Sequence, residues 1–113
     1  MPVTVAASGT QTATVTTEHT LATITAAGVY VVQVDLNAMA AGDVLELRAY
    51  ATPLAAGAER LLYFVGYYGP ALAVSLLANS IPVPGDATAG NVRFSLKQTF
   101  GVSRAFPWKV LAL

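Results

Sequence analysis

The sequence predicts an all-β protein, an antiparallel β-sandwich or jelly roll of about eight strands. Apolar residues alternate with others through residues 30–36 and again through 45–49, a period of two that fits half-buried strands and not helices. Turn-forming residues recur at the roughly 8 to 12-residue spacing typical of sandwiches. We expect the two strands within 28–53 to form an antiparallel pair around Gly42-Asp43, whose apolar side needs a second sheet to cover it.

The N-terminal part of the chain predicts short strands. Val3 and Val5 alternate with small residues, so residues 1–8 are expected to form an edge strand or an N-terminal arm that docks on a neighbour. The Thr-rich stretch 10–25 predicts two more strands, because Thr favours strands over helices. Gly28 then closes a turn into the central strand.

The stretch 61–85 has no charged residue and contains a run long enough to span a membrane as a helix. Gly66 and Gly69-Pro70, with the aromatic and β-branched bias before them, favour two buried strands around a turn instead, 61–68 and 71–78. The first of these is apolar on both sides, which predicts burial on both faces or an outer face covered by a partner.

The C-terminal part predicts two further strands after an irregular, proline-containing segment at 81–86. Residues 92–98 alternate cleanly and should form a one-sided strand. The last strand, 105–113, places Trp108 among its apolar positions, although its alternation fades toward the end. Pro107 cannot donate to a ladder, which favours an edge position for this strand.

Length and composition predict one domain, 1–113, that is not solitary. Charged residues make up 11% of the chain, against roughly 25% in ordinary soluble domains. A surface of about 6,000 Å², the area expected for this mass, would carry few charges. Because the net charge is also +0, we expect part of the surface to be covered in an assembly.

Several classes of protein are disfavoured by the same composition. The chain has no cysteine, which excludes disulfides and thiolate chemistry. Its first residues lack a basic region followed by an apolar run, so a signal peptide is not expected. Nucleic-acid binding is not expected either, because it requires a net basic surface. We expect no membrane association.

The charges are unevenly distributed along the chain. Acidic residues dominate up to Glu59, whereas after Asp86 there are only basic ones. Two arrangements remain open: sheet pairing mixes the two halves in space, or the halves form separate faces that meet between copies and could close a ring. The basic residues concerned are Arg93, Lys97, Arg104 and Lys109.

Candidate catalytic and metal-binding residues are few. His19 is the only histidine, and no Gly-x-Ser-x-Gly motif accompanies it, so we expect an exposed strand residue and no enzymatic activity. Oxygen ligands for calcium could come from one loop, but the spacing is not that of an EF-hand and suits ordinary turns. No metal or cofactor is therefore predicted. The loop residues are Asp35, Asn37, Asp43 and Glu46.

Aromatic residues suggest a second possibility, a carbohydrate-stacking platform. Tyr67 and Tyr68 stand at a predicted strand end beside Gly69-Pro70, where side chains often reach solvent. The other members would be Tyr63 and Trp108. Aromatic residues in strands more often belong to the core, and we expect this for Trp108.

The overall pattern of the chain resembles small all-β proteins of tailed bacteriophages that decorate or cement the capsid. The resemblance lies in GVYVVQVDLNAMAAGDVLEL, HTLATITAAG before it, and the closing KQTFGVSRAFPWKVLAL. It implies a jelly-roll-like virion structural protein, a homo-oligomer and most often a trimer, that is made in the host cytoplasm and binds the major capsid protein at the capsid surface. Related sandwiches in tails and fibres imply an alternative, a carbohydrate- or receptor-binding module.

No individual functional residue follows from this resemblance, because decoration proteins bind through broad surfaces. The candidate contacts are therefore chosen by position in the chain. They are Val3 and Val5 near the N-terminus, Tyr67 and Tyr68 at the strand end, and Ile81 and Val83 in the proline-containing loop.

Overall fold

The computed structural model describes residues 3–53, 57–69, 77–86 and 92–113, and no helix occurs among them. The described part accordingly holds no helix that could cross a membrane. The strands are β1 (Thr4–Thr12), β2 (Glu18–Ile24), β3 (Gly28–Asp35), β4 (Val44–Ala51), β5 (Arg60–Tyr68), β6 (Leu77–Asn79), β7 (Val83–Gly85), β8 (Val92–Phe100) and β9 (Ala105–Ala112).

The strands form two antiparallel sheets that pack face to face. Sheet I has the order β1-β9-β3-β6, with β7 also paired to β3, and sheet II has the order β2-β8-β4-β5. Successive strands change sheets repeatedly, and the resulting order is that of a jelly roll in which one strand is divided into β6 and β7. The predicted all-β sandwich is confirmed.

The predicted antiparallel pair within 28–53 is wrong. Its two strands, β3 and β4, lie in different sheets. Their connection crosses the end of the sandwich, and Leu36 and Met39 within it are buried. The apolar sides of the two strands therefore face each other across the core. This arrangement gives the same alternation of apolar residues in the sequence as a hydrogen-bonded pair would.

The core lies between the two sheets and is built from the positions that the alternation predicted. In β3, β4 and β8 every second side chain is buried and the intervening ones are on the outer faces. The fully enclosed members include Val32, Val34, Leu45, Leu47, Ala49, Val92, Phe94, Leu96, Phe106 and Val110.

The N-terminal strand is an edge strand and not a free arm. It was expected to end near residue 8, but β1 continues to Thr12 and pairs with β9 along its length, with one irregularity between Val5 and Ala7. Gly9 lies opposite Trp108, and a Cβ built on this glycine would come 3.4 Å from Cζ2 of the indole. The only tryptophan of the chain thus packs directly against the backbone of β1.

The edge position predicted for β9 from Pro107 is wrong, since β9 lies between β1 and β3. The register with β3 reaches only to Trp108, so Pro107 is paired on one side alone, with Thr10 of β1. Because Pro107 has no partner in β3, its missing N–H group removes no hydrogen bond between β9 and β3.

The strand at 61–68 was expected to be buried on both faces or to have an outer face covered by a partner. Within the single chain its outer face is exposed, so the first alternative is wrong, and the second stays a prediction. β5 is the last strand of sheet II, with Tyr63 and Val65 packed on the core and Leu62 and Phe64 exposed. The second strand of this pair was expected at 71–78, most of which lies outside the described residues. The described residues Leu77–Asn79 form β6.

Candidate interaction surfaces

Six aliphatic side chains share one region of the outer face of sheet I. Val5 lies opposite Leu111, which in turn lies opposite Val31, so three neighbouring strands contribute one row. The residues two positions further along each strand continue the patch on the same side. We call this region the aliphatic face; it consists of Val3, Val5, Val29, Val31, Leu111 and Leu113.

The aliphatic face is open to solvent in the isolated chain. Val3 and Val5 are each 57% exposed, and Leu113 is 47% exposed. Ile81, in the segment between β6 and β7 beside β3, is also exposed. Thus three residues chosen from the sequence as contact candidates, Val3, Val5 and Ile81, are exposed side chains of sheet I.

Val83, chosen with them, is not part of this surface. It lies opposite Tyr30 in the pairing of β7 with β3 and has 0% exposure, so it belongs to the core. The prolines around it suggested an irregular loop, but Val83–Gly85 forms a short strand whose first side chain points inward. Ser80, three residues earlier, is not part of the surface either. Its hydroxyl accepts a hydrogen bond from the Val32 amide N–H at 3.0 Å inside the sheet.

A groove of about 230 Å³ lies next to the aliphatic face on sheet I. Ser8, Lys109 and Gln33 form a row across β1, β9 and β3, and Asp35 follows on the same side. The complete lining is Ser8, Gln33, Asp35, Leu77, Pro107, Trp108 and Lys109. Polar groups of both charges thus surround an apolar floor.

The outer face of sheet II is different, because a network of ion pairs covers it. Glu18 is its centre: its carboxylate accepts hydrogen bonds from Tyr50 at 2.7 Å and from Ser95 at 2.5 Å. Arg48 lies 3.3 Å from the other oxygen and also binds Glu46 at 2.7 Å. Burial alone would raise the pKa of Glu18, but these hydrogen bonds and the nearby guanidinium groups outweigh it and lower that pKa.

A second arginine extends the network to the edge of the sheet. Arg93 donates two hydrogen bonds to Glu59, at 2.8 and 3.0 Å, and one to Thr20 at 2.8 Å. Its guanidinium group lies 4.2 Å from the ring centre of Tyr50, while that of Arg48 lies 5.2 Å from the ring centre of Phe64. Such stacked and two-point contacts suit arginine and not lysine.

These contacts decide between the two charge arrangements left open by the sequence. Arg93 pairs with Glu59, and Arg104 pairs with Asp43 at 2.9 Å, so basic residues from the end of the chain neutralise acidic residues from its first half. The halves are mixed by sheet pairing, and the separate acidic and basic faces do not form.

Exposed apolar residues, most of them aromatic, lie on the same outer face of sheet II beside the ion-pair network. Leu62, Phe64 and Tyr68 lie on the outer face of β5, and the register continues from Tyr68 through Val44 to Phe100. Tyr68 is 75% exposed and Phe100 is 67% exposed. We call Leu62, Phe64, Tyr68 and Phe100 the aromatic strip. Phe64 and Phe100 were not among the residues chosen from the sequence.

The predicted four-residue stacking platform does not form. Tyr67 and Tyr68 are consecutive strand residues and point to opposite faces, Tyr67 toward the core and Tyr68 toward solvent. Burial, together with the neighbouring Tyr63, raises the pKa of Tyr67 to about 12. Trp108 lies in the other sheet and packs against the core.

Asp43 is a structural residue that the sequence did not reveal. It is 2% exposed, and its carboxylate accepts hydrogen bonds from the Ala40 and Val102 amides at 2.8 and 3.1 Å and from Arg104 at 2.9 Å. Burial would raise the pKa of Asp43, but these donors lower it. A Cβ at Gly101 would overlap this carboxylate, so only glycine fits there.

Gln98 completes the same joint between the connection 36–43 and the turn 101–104. Its amide donates to the carbonyl groups of Phe100 and Val102 at 3.1 and 2.7 Å, and its oxygen accepts the Arg104 amide at 3.2 Å. Because Gln98 is fully buried, these bonds hold the turn in place from inside the sandwich.

His19 has a local structural contact. Its Nε2 accepts the Thr14 amide N–H at 3.1 Å, which ties the turn between β1 and β2 to the start of β2. No group of three or more possible metal ligands occurs among the described residues. The loop carboxylates considered for calcium are separated, because Asp43 is buried in its own network, Glu46 binds Arg48, and Asp35 accepts the Asn37 amide at 2.9 Å.

No known family model, curated protein or solved structure matches this chain. Its function is therefore inferred from the surfaces and contacts described above.

Proposed function

We propose that the protein is a non-enzymatic structural component of a virion, a homo-oligomer that binds the major capsid protein at the capsid surface as a decoration or cement protein. The observation that carries this proposal is the aliphatic face, an exposed patch on a sheet that already has a complete core on its other side. The jelly-roll order of the strands and the resemblance of the chain to phage decoration proteins support it.

Burial of the aliphatic face would supply the binding energy. Apolar area removed from water contributes about 25 cal/mol per Å², and Val3, Val5 and Leu113 are exposed in the single chain. Aliphatic residues on paired strands are held rigidly, so ordering them costs little on association. When several copies in one oligomer bind the same shell, the weak contribution of each copy is multiplied.

The chain also has a second exposed apolar surface, the aromatic strip of sheet II, on the opposite side of the sandwich. A subunit with two different surfaces can contact a neighbouring copy through one and the shell through the other. Contacts between unlike surfaces of neighbouring copies can close a ring, and a trimer is the state implied by the resemblance.

Light scattering and capsid binding test this proposal with a matched pair of variants. Val5→Lys places a charge on the aliphatic face, whereas Thr10→Lys places the same charge on the same strand and outer face but outside that patch. We expect the wild type and Thr10→Lys to be oligomers that sediment with capsids lacking the protein, and Val5→Lys to lose sedimentation. A monomeric wild type without affinity for such capsids would contradict the proposal.

The groove beside the aliphatic face favours a second candidate function, a carbohydrate- or receptor-binding module of a phage tail or fibre. Serine, amide, carboxylate and ammonium groups around Leu77 and Pro107 match the mixed polar and apolar surface of a sugar. In this case a glycan array should show binding that Asp35→Ala abolishes and Tyr68→Ala leaves intact. An array without any bound glycan would argue against this candidate.

A further inference from the structure

We infer that β5 pairs with β5 of a second copy around a twofold axis, so that two copies of sheet II join into one continuous antiparallel sheet. In the described part of the chain, β5 has β4 as its only strand neighbour. Within this part of the chain, the backbone donors and acceptors of its other edge have no strand partner, which is the usual basis of strand addition between chains.

Beyond its first residues, β5 lacks the features that normally prevent such pairing. Edge strands are commonly protected by charged residues, proline, bulges or short length. β5 is nine residues long, RLLYFVGYY, with no proline and no charge after Arg60. The one irregularity in its pairing with β4 lies near its start, opposite Ala49 and Tyr50. The remainder is a regular apolar edge.

The strand is also complementary to itself in one register. An antiparallel pairing centred on the middle residue of β5 puts Phe64 on the twofold axis. Leu62 then faces Gly66 of the second copy, and a Cβ at Gly66 would have nothing within 4 Å, so there is open space for the leucine.

This contact goes beyond the proposed capsid role and does not depend on it. A twofold contact between identical edges cannot close a ring of three subunits. It produces dimers in solution, or it joins two oligomers that are held together by other surfaces. Binding to capsids and pairing of β5 can therefore be measured separately.

Single-cysteine variants test the register, because the natural chain has no cysteine. A disulfide requires Cα atoms about 4.4–6.8 Å apart, a condition met by residue 64 and its counterpart on the axis. Oxidised Phe64→Cys should form a covalent dimer. Leu62→Cys alone should not, since its counterpart would lie roughly 13 Å away along the paired strands, but a mixture of Leu62→Cys with Gly66→Cys should.

Charge exchange at the axis gives a second test that needs no oxidation. Phe64→Lys and Phe64→Glu should each lose the β5 contact in light scattering, because like charges meet on the axis, and an equal mixture of the two should restore it. Thermal unfolding of each variant verifies that it is folded. The inference is overturned if Phe64→Cys gives no dimer, if Leu62→Cys cross-links as efficiently, or if the mixture of charged variants stays dissociated. Capsid binding by wild type in any of those cases would leave the proposed function standing.

Discussion

The outer faces of the two sheets differ in the side chains that they present to solvent. On sheet II, Arg48 and Arg93 each form ion pairs with glutamates. Glu18 lies within ion-pair distance of both arginines and also accepts hydrogen bonds from Tyr50 and Ser95. On sheet I, the corresponding area is the aliphatic face, where side chains such as Val5 have more than half of their surface exposed.

This difference shows where the few charges of the chain are located. The low charged fraction is not spread evenly over the surface: the ion pairs are concentrated on sheet II and at the joint around Asp43. The ion-paired part of sheet II is therefore suited to remain in water, whereas the aliphatic face gains free energy when a partner covers it.

Asp43→Ala should have the largest effect on stability, because it leaves Arg104 and the amide groups of Ala40 and Val102 without their acceptor. Loss of one partner of a buried, hydrogen-bonded ion pair costs about 3–5 kcal/mol. Urea denaturation measures the free energy of unfolding. Asp35→Ala, which removes a half-buried carboxylate with a single local hydrogen bond, is the control and should cost under about 1 kcal/mol. Equal losses would show that Asp43 is not a structural joint.

Glu18→Ala should lower the free energy of unfolding by about 2 kcal/mol, since two arginines and the buried Ser95 hydroxyl lose an acceptor. We expect its light-scattering mass to match that of the wild type, because the network serves the fold of sheet II and not association. A variant as stable as the wild type would show that the network contributes little, as ordinary surface ion pairs do.

Acid should destabilise the protein through the same two carboxylates. The folded state lowers the pKa of Glu18 from 4.5 and that of Asp43 from 3.8, so their contributions are complete above these values and disappear as the pH falls through the lower folded pKa values. The urea midpoint should be constant at pH 5 to 7, roughly, and fall below about pH 4.5. Asp43→Ala and Glu18→Ala should each show a weaker fall, and an unchanged acid profile in both would refute this assignment.

The smallest effect is expected on the aliphatic face itself. Val31→Thr should change the free energy of unfolding by no more than about 0.5 kcal/mol, while the adjacent Val32→Thr buries an unpaired hydroxyl and should cost about 1–3 kcal/mol. The two residues lie side by side in β3 on opposite faces, so each controls for the other in the same denaturation experiment. A large loss with Val31→Thr would mean that the outer face of sheet I stabilises the isolated fold.

Alternation in the sequence predicted which side chains point inward, but it could not predict which strands are neighbours. Two strands with one apolar side each, such as 30–36 and 45–49, show the same pattern whether they lie side by side or face each other across a core. The connection between them contains Leu36 and Met39, whose burial is the physical sign of a crossing between sheets.

The surfaces were predictable only in part for the same reason. Val3 and Val5 were recognised, but their partners on the aliphatic face, such as Val31 and Leu111, are distant in sequence and meet only through strand register. One signal of the aliphatic face was present in the sequence. Residues 29–32 and the last residues of the chain are apolar at consecutive positions, so both faces of these strands carry apolar side chains. Asp43 looked like an ordinary turn residue, since its burial depends on Val102 and Arg104, far along the chain.

The packing of Trp108 on Gly9 has a practical consequence. The indole is the only one in the chain, and it touches the strand that also carries Val5 of the aliphatic face. If β1 peeled away from β9, water would reach the ring and its fluorescence would shift to longer wavelengths. The protein thus contains its own unlabelled optical reporter for the attachment of its first strand.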